Sequence, residues 1–168
     1  MDIKAIVYFS NTGHTERYAK MLGEKTGLPV YDLKTAKTEL EKGTKIIFMG
    51  WIFMTAIREY VTAAKLFDVA AVCGVGISDN GALEAEARDG NDIPEETAYF
   101  TIQGGMDKTK VKGLYKIILK ILIKWVRSTK NMTESDKRML WLLENDRDYV
   151  CEENLAAVVT WFEEYKGK

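Results

Sequence analysis

Along the first 105 residues, short β-rich apolar runs alternate with helical patterns, and this alternation restricts the chain to an α/β architecture on a mostly parallel sheet. The runs are Ile3 to Phe9, Leu28 to Leu33, Lys45 to Gly50, Val69 to Ile77 and Ala98 to Gln103. Short, mostly apolar stretches of this kind suit strands buried on both faces, Leu28 to Leu33 being the weakest of them. Between them, His14 to Thr26 predicts a helix with Tyr18, Ala19, Met21 and Leu22 on one face and Gly27 as its stop. Lys34 to Gly43 has room for a short helix, Thr55 to Leu66 predicts another, and a short one is expected around Ala82 to Arg88. A last helix is expected near Glu152 to Lys166. Right-handed crossovers then give five strands between two helical layers. Residues 106–149 hold two helical patterns and no strand, and are read as an insertion between the fifth strand and the last helix.

The 168 residues suffice for one domain, 1–168, with a core that needs no metal or disulfide staple. The apolar fraction of 46% and charged fraction of 29% exclude a disordered chain. Twenty-four basic side chains meet 25 acidic ones, so no overall basic excess points to nucleic acid. Cys73, Cys151 and the single His14 are too few for a structural zinc site, and no metal is expected. No signal-peptide pattern is present, so a cytoplasmic protein with two reduced thiols is expected.

Ser10-Asn11-Thr12-Gly13-His14-Thr15 directly follows the first strand and opens the first helix. Free amides and the positive end of the dipole make such a helix start an anion site. The hydroxyls of Ser10, Thr12 and Thr15 add donors, and Gly13 lets the backbone approach a ligand. The loop has no lysine and lacks P-loop or dinucleotide spacing, which favours a monophosphate held by neutral donors. The same residues also suit a helix that is merely capped, and the letters alone leave the two readings level. One histidine cannot furnish a Ser-His-Asp set, and no catalytic acid or base is assigned.

Tyr8-Phe9-Ser10-Asn11-Thr12-Gly13-His14-Thr15 resembles the phosphate-binding loop of flavodoxins, Ser/Thr-x-Thr-Gly-x-Thr, with Ser10, Thr12, Gly13 and Thr15 matching. Looser similarity runs over residues 1–105 and the last helix, and the layout resembles flavodoxin-type protoporphyrinogen oxidases, which carry an extra segment at the same place. The resemblance implies a flavodoxin-like three-layer sandwich with strand order 2-1-3-4-5 and FMN at the switch point between the first and third strands. It implies that Ser10, Asn11, Thr12, Gly13, His14 and Thr15 surround the phosphate, while Trp51, Ile52, Phe53 and Met54, in an apolar loop, and Gly76 and Ile77 border the ring. The implied function is FMN-dependent electron transfer or oxidoreduction, with a redox partner protein or a small-molecule or quinone substrate. The alternatives are a peripherally membrane-associated dehydrogenase like protoporphyrinogen oxidase, and a flavin-free interaction module. Two departures stand out. Ser78 to Glu96 holds seven acids and no aromatic, where flavodoxins usually supply a ring-covering aromatic. The chain is also nearly neutral, where shuttle flavodoxins are acidic. The ring is then less covered on one face, or covered by the insertion.

Residues 106–130 carry net charge +7 between flanks of net −4 each. Within them, Val111 to Arg127 reads as a helix with Lys112, Lys116, Lys120 and Lys124 every fourth residue and an apolar arc of roughly 200°, wider than the ~100° a core-facing helix needs. A lysine in every turn prevents it from spanning a bilayer. Three readings remain: packing on its own domain and on the following helix around Glu134 to Glu144, packing across a homodimer through 111–127, or lying on an anionic membrane at the inner face.

Overall fold

The structure is a computed structural model that describes residues 2–82, 84–111 and 113–166. β1 (Ala5–Phe9), β2 (Val30–Asp32), β3 (Lys45–Phe53), β5 (Asp68–Gly76) and β6 (Ala98–Gln103) form a parallel sheet in the order β2-β1-β3-β5-β6. The five expected runs are therefore five adjacent strands, and the chain is α/β with a mostly parallel central sheet. Side chains alternate across it, as the two-residue period of a strand requires. Ile6, Ile47, Met49 and Cys73 face α1 (His14–Thr26) and α7 (Ala156–Lys166), meeting Tyr18, Leu22, Val158 and Phe162. Ala5, Val7, Ile46, Phe48 and Val72 face α2 (Leu33–Glu39), α3 (Tyr60–Leu66) and α4 (Glu84–Gly90) through Leu33, Ala36, Tyr60, Ala63 and Ala87. Both faces are covered, which is why these strands read as continuous apolar runs.

Local signals set the element ends. Gly27 stops α1 in a left-handed conformation, its amide bonded to the Gly23 carbonyl at 2.8 Å. Asp32 caps α2 by accepting from the amides of Lys34 and Thr35. The last helix begins as a 3₁₀ turn, Glu152–Leu155, before α7.

One expectation is corrected. Trp51, Ile52 and Phe53 are not a loop: β3 runs on through Phe53, with Trp51 paired to Val75, and folds back on β4 (Ala56–Ile57). The turn lies at Met54 and Thr55, with Met54 at φ 60°. α3 consequently starts at Tyr60 rather than Thr55. Apolar β-rich residues serve a buried strand extension as well as an apolar loop, and tertiary pairing decides between them. The hairpin bends over Gly50, where a Cβ would sit 2.7 Å from Ile57 Cγ2 and 2.9 Å from the Arg58 carbonyl.

The segment between β6 and the last helix holds α5 (Gly113–Arg127) and α6 (Glu134–Glu144), packed on each other. Lys112 of the expected lysine row lies outside the described residues. Thr133 and Asp136 form a reciprocal capping box at the start of α6. A second correction applies here: β7 (Gly105–Met106) and β8 (Arg147–Asp148) pair as a short antiparallel ribbon that closes the base of the insertion. Its two ends are tied to α1. The Tyr18 hydroxyl donates to the carbonyls of Gln103 and Tyr149 and accepts from Asn154 Nδ2. A sequence pattern holds no trace of that ribbon, because its strands are two residues long.

Candidate functional site

The carboxyl ends of β1, β3 and β5, the β6 residue Thr101, and the two insertion helices enclose a cavity of about 190 Å³. Of the residues singled out in the sequence, Asn11, Thr12, His14, Thr15, Trp51, Ile52, Phe53, Met54, Gly76 and Ile77 line it. Ser10 and Gly13 do not. Ser10 Oγ instead accepts the Gly13 amide at 3.1 Å and closes the loop. Gly13 takes φ 96°, a left-handed value that a side chain resists, and caps α1 without a side-chain bond, so the first amides of the helix are left for an external partner.

The loop is firmly seated. Thr15 is buried, and His14 packs beside Gly104 with Nδ1 2.8 Å from Thr12 Oγ1. Burial pushes the His14 pKa below its ordinary value, against the pull of Asp148, whose carboxylate lies 4.0 Å from Nε2. A second cavity of about 310 Å³ adjoins the same loop, lined by Gly13, Arg17, Lys110 and Arg147 together with the carboxylates of Asp107, Asp146 and Asp148. The loop itself has no cation, but α1 and the insertion bring three to it. Two of them are paired, Arg17 with Asp148 at 2.5 Å and Lys110 with Asp107 at 3.0 Å.

Sequence reasoning offered the insertion as a candidate cover but named none of the residues that form the cavity's roof. Val111, Tyr115, Leu119 and Leu122, all within 111–122, and Met139 and Leu143 of α6 close it. Tyr115 packs edge-on against Trp51, with centroids 4.9 Å apart, and against Phe53 at 5.6 Å. The Arg58 guanidinium lies 5.6 Å from the centre of the Tyr115 ring. At about 190 Å³ the cavity falls below the roughly 300–1,000 Å³ of most small-ligand pockets. The available signal was the missing aromatic in Ser78 to Glu96, which required cover from elsewhere. Ser78 and Asp79 do line the cavity.

Two buried polar atoms on residues that line the cavity have no hydrogen-bond partner among the described residues: Thr101 Oγ1, on a residue 8% exposed, and Trp51 Nε1. Buried donors and acceptors are nearly always paired, and an orphan costs about 1–3 kcal/mol. The cysteines are not part of the site: Cys73 and Cys151 are unpaired, and burial pushes the Cys73 thiol far up. Among the described residues, no helix is long and apolar enough to cross a membrane. Comparisons with protein-family models, with curated proteins and with solved structures find no match.

Proposed function

We propose that this chain is a flavodoxin-like protein that binds FMN without a covalent link and uses it for redox chemistry in the cytoplasm. One observation carries the reading: the hydroxyl-rich start of α1 and the aromatic-walled cavity are one continuous site, at the point where the sheet order reverses between β1 and β3. FMN makes two demands, an anion site for its phosphate and a flat, largely apolar slot with a few polar contacts for its ring. Thr12, Thr15 and the open amides of α1 answer the first. Trp51, Phe53 and Tyr115 answer the second. The tyrosine edge must move off Trp51 to cover a ring seated there. When bound, the flavin supplies the electron transfer; the protein's residues bind, orient and keep water away.

Two uses of that site differ in how electrons arrive. In one, a protein partner exchanges electrons with the site. In the other, a porphyrinogen-like or quinone-like molecule reacts directly, as in the flavodoxin-type protoporphyrinogen oxidases the chain resembles. The apolar roof from α5 and α6 favours the second, because it adds a wall suited to a large apolar reactant. Purified protein should gain visible flavin absorbance on titration with FMN. Turnover of a porphyrinogen or quinone without any partner protein identifies the enzyme; reduction that needs a partner identifies the carrier. Protein that stays colourless in excess FMN overturns both and leaves an interaction module.

A further inference from the structure

We propose that α5 docks the protein on an anionic lipid bilayer, lying in the plane of the headgroups. The helix has three faces. Leu119 and Val126 are buried, and Tyr115 and Leu122 join them on the side that roofs the cavity. A second face carries Leu114, Ile117, Ile121 and Trp125, which are 57–67% exposed. At about 100° per residue these four fall within about 80° of one another and form an unbroken stripe roughly 16 Å long. The third face carries Lys116, Lys120 and Lys124, exposed and without an ion pair among the described residues. It adjoins the stripe at about 100° around the axis. No acidic residue lies between Gly113 and Arg127. Packing against α6 therefore accounts for only part of the helix, and a strongly apolar surface remains facing water.

Charge decides the occupant. A membrane with anionic headgroups takes the apolar stripe into the acyl boundary and meets the lysine row at the surface. A second copy meets neither need. Two helices packed through this stripe set lysine rows along the rim of the contact, with no acid on either α5 to pair with them. Four side chains also fall far short of the 20–30 residues per partner of a stable interface. The helix is too short and too charged to span the bilayer, so it lies on it. This inference does not depend on the flavin.

Flotation of the purified chain with vesicles of phosphatidylcholine alone, and of equal parts phosphatidylcholine and phosphatidylglycerol, tests it. The chain should float with the anionic vesicles only, and less so at high salt. Each lysine is worth roughly fivefold in partition. Lys116→Glu, Lys120→Glu and Lys124→Glu together should therefore weaken binding by at least on the order of a hundredfold, since each also adds a repelled charge. The combined Ile117→Ser, Ile121→Ser and Trp125→Ser variant should lose it at any salt. All six positions are exposed, and unchanged helix content by circular dichroism verifies that these variants fold. No flotation of the parent chain, equal flotation with both vesicle types, or a concentration-dependent dimer that the serine variant dissociates would each overturn the proposal.

Discussion

Asn91 holds the hairpin that carries Trp51 and Phe53 against the rest of the domain, and removing its side chain should measurably loosen both fold and site. The residue is 8% exposed. Its Oδ1 accepts the Ile57 amide at 2.8 Å, and its Nδ2 donates to the carbonyls of Thr55 at 2.7 Å and Ala87 at 2.6 Å. These bonds join β4 and the turn before it to the end of α4, and among the described residues no backbone bond duplicates them. Each net hydrogen bond is worth about 0.5–1.5 kcal/mol, so Asn91→Ala should cost about 3 kcal/mol. For a chain of this size that is a fall in Tm of about 6–12 °C. Asn91→Asp keeps the acceptor for Ile57 but sets a carboxylate against two carbonyls, so it should be at least as damaging at neutral pH. Thermal melts followed by circular dichroism measure the shift, and urea titration with an unchanged slope shows that stability alone has moved. A melting temperature unaltered by Asn91→Ala would refute the assignment of the hairpin's anchorage to this side chain.

Two further predictions concern the site. Tyr115→Leu removes the aromatic roof, and with a stacking contribution of about 0.5–1.5 kcal/mol it should weaken FMN binding about 2- to 13-fold, while Tyr115→Phe should bind as the parent does; tighter binding by the leucine variant would mean that Tyr115 obstructs the slot. His14 is held neutral by burial, against Asp148, so the unfolded chain takes up the proton first as pH falls. Stability from this residue should be fully present above about pH 6.5 and decline below it, and His14→Gln should remove that part of the slope in a series of urea midpoints against pH; an identical slope in both proteins would contradict the burial argument.

The central sheet was legible because its inner strands β1, β3 and β5 are buried on both faces. Ala5 to Phe9 and the stop at Gly27 needed nothing beyond local pattern. The run Trp51 to Phe53 was not, because an apolar sequence does not say whether it packs as loop or strand; Val75 and Ile57, which pair with it, are distant or cross a turn. The position of the site at the strand ends followed from the loop after β1. Its roof did not, because Tyr115 meets Trp51 only through the insertion's fold. The orphaned hydroxyls were also invisible: nothing in Tyr99-Phe100-Thr101-Ile102 marks that Tyr99 Oη and Thr101 Oγ1 both end without a partner among the described residues. On α5 the wide apolar arc left three readings open, and the structure divides the arc into a face that roofs the cavity and a face left in water.

The central claim is that one site holds FMN with its phosphate on the loop after β1. Its most direct test is an FMN titration of the parent chain beside a Thr12→Val, Thr15→Val variant, read by visible absorbance and flavin fluorescence. Hydrogen bonds to a charged group are worth about 1.5–3 kcal/mol, so loss of one or both hydroxyl contacts should raise Kd by at least about tenfold while the variant still folds. Saturable binding by the parent with that loss in the variant is the predicted result. Equal affinity in the two proteins would place the phosphate elsewhere, and no binding by either would remove the redox function from this fold.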